Sequence, residues 1–179
     1  MKFNKSHIFK LVFTSVLIAL NIVLERFFTI HIESNHYSLS VITVAFAAVF
    51  LSTPYAIAVS ALGDILGALI SPVGPYFPGF TLTNILTALC IGLFLSKKVT
   101  LLNTTSAIII NKIFGTLILN SIWVSILYKG GIDAFPAYMI TRIPQAIIMA
   151  VIEIAIITVI FHDKSHIRKL LSKSVNKAI

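Results

Sequence analysis

The sequence predicts an all-α membrane protein, a compact bundle of six transmembrane helices with both ends of the chain cytoplasmic. Three observations carry that prediction. The chain is 58% hydrophobic and only 11% charged over 179 residues, whereas a soluble domain carries about 25% charged residues. Its apolar residues come in runs that approach or exceed the roughly 20 residues a helix needs to cross the hydrocarbon. The formal charge of +8 is concentrated, with ten of the 14 Lys and Arg in three clusters: Lys2, Lys5 and Lys10; Lys97 and Lys98; and Lys164, Arg168, Lys169, Lys173 and Lys177. All three fall on one side of a six-span topology, which is the bias of cytoplasmic segments. A nucleic-acid partner is not expected, because no folded domain exists to display these residues on one surface.

The expected spans are 8–30, 38–51, 54–70, 79–95, 104–128 and 138–161, within a single integral membrane domain, 1–179, that ends in a basic tail, 162–179. The first span starts like a signal peptide, but it is too long for an h-region and lacks a small-x-small cleavage site. The polar segment from His31 to Tyr37 holds Glu33 and no Lys or Arg, which suits the outer side. The run from Leu39 to Ile70 would be roughly 48 Å long as one helix, against about 30 Å of hydrocarbon. It must break, and Ser52-Thr53-Pro54 is the place, since the residue before a proline avoids the α region. The third span is rich in small residues. Gly63 and Gly67 form a GxxxG, read as a close-packing face. The tail spaces Ile167, Leu170, Leu171 and Val175 as an interfacial helix would, near anionic lipid.

The stretch from Gly63 to Asn84 organises the chain. It carries Asp64 up one helix, turns through Pro72, Pro75 and Pro78, and returns on a helix that begins with Phe80, Thr81, Thr83 and Asn84. An ionisable group in a span costs about 2.5 to 3.5 kcal/mol on insertion scales, so each needs a reason. The candidates are Glu25, Arg26, Asp64, Lys112, Arg142 and Glu153. Arg26, Asp64, Asn84, Asn120, Trp123, Arg142 and Gln145 all lie one to two turns below the outer ends of their helices. Five helices thereby bring polar or aromatic groups to one layer, and the layer reads as a binding pocket. Structural pairing, for instance of Arg26 with Asp64, is the competing reading.

The side chains define a ligand type. Asp64 can accept from an amino-amidine edge such as a pterin's. Asn84, Asn120 and Gln145 both donate and accept. Phe77, Phe80 and Trp123 can stack on a flat ring. Arg26 and Arg142 can fork onto a carboxylate or ring carbonyl, and Pro144 frees a backbone carbonyl in the last span. Lys112 and Glu153 are placed outside this layer. Lys112 is read as snorkelling toward the inner face, or as pairing with Glu153. Cys90 is the only cysteine, and the histidines are spaced for no metal, so no metal site is assigned. No G-x-S-x-G, H-E-x-x-H or P-loop occurs, so no catalytic residues are assigned and the chain cannot hydrolyse ATP by itself.

The Lys-rich start, LERFF, GDILGALI, FPGFTLTN, LNSIWVSILY and TRIPQ, in that order, resemble the substrate-binding S components of energy-coupling factor (ECF) vitamin transporters. The resemblance covers nearly the whole chain and is nearest to the folate-specific members. It implies a multi-pass protein of a prokaryotic plasma membrane that captures folate from outside. The polar and aromatic layer read from the spans supplies the expected substrate-binding set: Arg26, Asp64, Phe77, Phe80, Thr83, Asn84, Asn120, Trp123, Arg142 and Gln145. The resemblance implies two kinds of partner, a membrane coupling subunit and two ABC-type ATPases that use ATP, and delivery by toppling in the bilayer. Ser15 and Ala19 match the small-x-x-x-small docking pattern of the first helix, with Ser where Ala is expected. The alternatives are a sibling specific for another nutrient, such as a queuosine precursor or riboflavin, and a ligand-free scaffold.

Overall fold

The computed structural model describes residues 7–32, 35–72, 76–96, 98–127 and 131–161. The tail, Lys2, Lys5, Lys97, Glu33, Pro75 and Tyr128 lie outside the described residues. Among those described there are six helices that build the bundle: α1 (His7–Arg26), α2 (Val41–Phe50), α3 (Thr53–Ile70), α4 (Pro78–Leu95), α5 (Leu101–Leu127) and α6 (Phe135–Phe161). Two short strands, β1 (Ile30–Ile32) and β2 (Asn35–Tyr37), stand between α1 and α2, and a short 3-10 turn, Ile132–Ala134, leads into α6.

The helix boundaries have local causes. The chain breaks between α2 and α3 around Leu51 and Ser52, with Pro54 in the first turn of α3, where its missing N–H costs nothing. Pro78 opens α4 in the same way. Thr100 caps α5, its hydroxyl accepting from the Asn103 amide at 3.2 Å. Hydropathy carries the first span to residue 30, but α1 ends at Arg26. There the Phe27 and Phe28 amides both turn onto the Val23 carbonyl, and the Thr29 hydroxyl donates to the Glu25 carbonyl at 2.7 Å. Local capping has overridden apolar continuity. The polar segment that follows is an antiparallel hairpin in which Ile30 pairs with Tyr37 and His31 with His36.

Among the described residues, five helices are long and apolar enough to cross a membrane. The second helix, expected over 38–51, is the short one: α2 has 10 residues, about 15 Å at 1.5 Å per residue. It can be short because it is enclosed. Val41, Thr43, Val44, Ala45, Ala47, Ala48 and Val49 are all buried, against α1, α3, α4 and α6. A helix that is apolar all round belongs inside a bundle.

The glycines of α3 face α1. A Cβ on Gly63 would run into the Asn21 side chain, and one on Gly67 would stand 2.8 Å from Arg26 Nε. This close approach brings the Arg26 guanidinium alongside α3, as a small-residue face permits.

The bundle is solid at one end and hollow at the other. The solid end gathers the last turns of α2, α4 and α6 and the first turns of α3 and α5. Val49, Ala56, Val59, Ile91, Leu95, Ala107, Ile108, Ile157 and Phe161 close-pack there. Phe161 touches Phe46 and Phe50 with ring centroids 4.9 and 5.9 Å apart. The hollow end lies toward the hairpin, the α3–α4 turn and the α5–α6 connection. The outer faces of the helices carry exposed Leu, Ile, Val and Phe, such as Leu69, Leu102, Ile147 and Val159, the surface that lipid requires.

Candidate functional site

The hollow is a cavity of about 440 Å³, within the range of small-molecule sites, roughly 300 to 1,000 Å³. All six helices contribute to its wall. Asn21, Glu25 and Arg26 come from α1, Val41 and Val44 from α2, and Ser60 and Asp64 from α3. Phe77 in the turn and Phe80, Thr83, Asn84 and Thr87 on α4 form one side. Asn111, Lys112, Thr116 and Asn120 on α5 and Arg142, Gln145, Met149 and Glu153 on α6 form the other.

One cluster joins α1, α3 and α4. The Arg26 guanidinium donates to both the Asp64 side chain and the Asp64 backbone carbonyl, each at 3.2 Å. The other Asp64 carboxylate oxygen accepts from Thr81, whose hydroxyl is also 2.9 Å from that of Tyr76. Pairing and pocket are therefore the same feature here: the ion pair sits on the cavity wall, with side chains 12% and 8% exposed. Both partners are held by the fold before any ligand arrives.

The aromatic corner differs from expectation in one respect. Phe77 and Phe80 line the cavity, meeting edge to face with centroids 5.9 Å apart. Trp123 stands behind them. Its ring packs on Phe77 at 5.7 Å, and its indole N–H donates to the Thr83 hydroxyl at 3.0 Å. Gly79 makes room for this arrangement, since a Cβ there would collide with both the Phe77 and Trp123 rings. Trp123 thus props up a stacking surface that Phe77 and Phe80 present.

The floor is where the sequence reading needs correcting most. Lys112 and Glu153 do not lie apart from the pocket layer. Both line the same cavity; of the two readings of Lys112, pairing with Glu153 is the one the structure shows, at 2.7 Å, and snorkelling is not. Beside them the Thr87 hydroxyl donates to Asn111 Oδ1 at 2.8 Å. The reason lies in α5, where Lys112–Leu119 is a π-helix. Lys112, Thr116, Asn120 and Val124 all face the cavity at four-residue intervals. In a plain α-helix, twelve residues at that spacing would drift about 120° round the axis. The wider i→i+5 turns offset the drift and keep one face on the ligand space.

Several buried polar atoms on this wall have no partner among the described residues: Arg26 Nε, Asn120 Oδ1, Gln145 Oε1 and Glu153 Oε2. An unmatched buried polar group costs about 1 to 3 kcal/mol. Side chains with such atoms, gathered round one cavity, mark where a polar guest belongs. Gln145 is fixed at its other end, donating to the His36 backbone carbonyl and tying α6 to the hairpin. Arg142 is 3% exposed and on the wall. Of the substrate-binding set drawn from the sequence, all but Trp123 meet here. Glu25, Thr87, Asn111, Lys112 and Glu153 stand on the same wall and are missing from that set, although a mid-span amide or charge is the signal that marks four of them.

Ser15 and Ala19 lie elsewhere, exposed on the outer face of α1. The Ser15 hydroxyl is satisfied within the helix by the Leu11 carbonyl at 3.0 Å. It therefore offers little more than the bulk of an alanine.

A lipid-facing bundle that is closed at one end and polar-lined at the other is a membrane receptor for a small molecule. The profile of a family described as "ECF transporter, substrate-specific component" matches residues 9–161, and the chain belongs to that family. It is a multi-pass protein of the prokaryotic plasma membrane. A protein named folate transporter FolT from Clostridium novyi (strain NT) is 32% identical over 140 residues, 78% of this chain and 80% of the relative. Another of that name, from Leuconostoc mesenteroides subsp. mesenteroides, is 28% identical over 149 residues, 81% of this chain and 80% of the relative. A solved structure described as FolT bound with folic acid superposes with a TM-score of 0.76 at 27% identity, covering 82% of this chain and 89% of that one.

Proposed function

We propose that this chain is the folate-binding subunit of an ECF importer. The observation that carries the reading is the convergence of unpartnered buried polar atoms, two arginines and an aromatic corner on one cavity. Folate offers matching chemistry: a flat pteridine for Phe77 and Phe80, hydrogen-bonding ring edges for the amides and acids, and carboxylates for Arg26 or Arg142. The relatives named folate transporter support the choice among nutrients. A ligand-free scaffold has no use for such unmatched atoms, which evolution could replace with apolar ones at a gain in stability.

In this reading the chain binds and does no chemistry. Its cavity faces outward and its termini face the cytoplasm. A membrane coupling subunit docks at Ser15 and Ala19 on α1, and two ABC-type ATPases supply the ATP. The bundle topples in the bilayer to present its ligand inside. Its small size and short helices suit that motion.

Trp123 gives the test, being the only tryptophan in the chain and in contact with Phe77. Titration of the purified protein with folic acid should change its emission at nanomolar to micromolar ligand. Unchanged emission together with flat calorimetry would overturn the proposal. A response to riboflavin or a queuosine precursor in place of folic acid would move the assignment to a sibling.

A further inference from the structure

The proposed ligand needs an acceptor for its ring N–H donors, and the cavity holds two ion-paired carboxylates that differ in availability. Asp64 is engaged at both oxygens, one by Arg26 and the other by Thr81. Glu153 is 2% exposed. Its Oε1 is taken by Lys112 at 2.7 Å, and its Oε2 has no partner among the described residues. Lys112 Nζ, with three protons, gives one to Glu153. Both residues line the cavity, so the pair sets an unengaged acceptor beside a donor in its wall, and it is neutral as a whole. Burial makes this exacting, because a guest that leaves Oε2 bare, or faces it with another acceptor, forfeits the compensation for desolvation.

We infer that the Glu153–Lys112 pair is the subsite that reads the ligand's ring edge. Glu153 Oε2 accepts from the 2-amino group and adjacent ring N–H of an amino-oxo-pyrimidine, and Lys112 donates to the neighbouring ring carbonyl. The inference rests on the folate reading and reassigns roles within it. Asp64 becomes a positioning residue for Arg26, and the floor becomes the reader. The pteridine then points inward, leaving the flexible carboxylate end of the ligand toward the arginines and the opening. The π segment has a role in this arrangement, since it holds Lys112 on the same face as Asn120.

The test compares two ligands on each purified protein: folic acid, and its analogue with a 2-oxo group in place of the 2-amino group. In the wild type the oxo compound sets an acceptor against Glu153 Oε2, and it should bind at least about tenfold more weakly, as a buried mismatch of one hydrogen bond implies. The isosteric Glu153→Gln is the informative variant, because its amide can donate to the oxo group. It should weaken folic acid and strengthen the analogue, so that the preference collapses or reverses. Asp64→Asn should lower both affinities by the same factor. The ratio of two ligands on one protein is insensitive to how much of a variant is folded. A wild type that binds neither ligand overturns the folate reading itself. Folic acid binding with an unchanged ratio in Glu153→Gln, or a ratio that moves in Asp64→Asn instead, overturns the subsite.

Discussion

Gly67→Ala separates the binding site from the scaffold. The new Cβ would stand 2.8 Å from Arg26 Nε and 3.4 Å from its Cγ. Only the first is too close, and it belongs to a flexible side chain, so the helices need not part. The guanidinium must retreat by about 0.6 Å to reach ordinary contact, which takes bonds that are already 3.2 Å long beyond hydrogen-bonding range. A hydrogen bond to a charged group contributes about 1.5 to 3 kcal/mol. Against that loss, alanine is better than glycine inside a helix by about 1 kcal/mol. Stability should therefore fall by no more than about 2 kcal/mol if one of the two bonds is lost, and by no more than about 5 kcal/mol if both are. Ligand affinity should fall by about tenfold, as the displaced arginine no longer presents its remaining protons to the cavity. The assays are thermal unfolding in detergent and calorimetric titration with folic acid. Repeating both in an Arg26→Ala background closes a double-mutant cycle, in which Gly67→Ala should then have no further effect on affinity. Wild-type affinity in the single variant, or full additivity in the double, would refute the idea that α3 positions Arg26.

Other outcomes follow from the same geometry. Lys112→Ala or Glu153→Ala alone leaves a buried charge without its partner and should lower stability by about 3 kcal/mol, whereas Lys112→Met with Glu153→Leu should recover most of it, read as melting temperature. Trp123→Phe removes the bond to Thr83 and should weaken folic acid severalfold by calorimetry, through a loosened Phe77, while leaving the helical circular dichroism intact. Arg142→Ala deletes a charged donor from the wall and should weaken folic acid by about tenfold in the same titration. Ser15→Leu with Ala19→Leu should leave folic acid binding unchanged and abolish uptake by cells expressing the coupling module.

The helices are legible in the sequence because lipid enforces their rule: apolar runs, with prolines at the breaks. The depth of Arg26, Asp64, Asn120 and Arg142 is legible for the same reason, since a polar residue at a shared level in several spans needs a shared cause. What escapes reading depends on local backbone choices. The π segment at 112–119 leaves no mark in hydropathy, so Lys112 reads as an inner-face residue when it belongs to the floor. The turn after Arg26 depends on Thr29 capping carbonyls, a side-chain event inside an apolar run. Trp123 reads as a ligand contact because depth alone does not distinguish a wall from the layer behind it. Glu25 and Asn111 carry the right signal, a polar group within a span, without neighbours in sequence to show which way they face.

The plug of Phe46, Phe50 and Phe161 makes the hollow a cul-de-sac. Among the described residues, a solute that enters meets packed aromatic rings at the far end. The site therefore has a single mouth in the described bundle, and a nutrient held there has to leave by the way it came unless the whole bundle is turned.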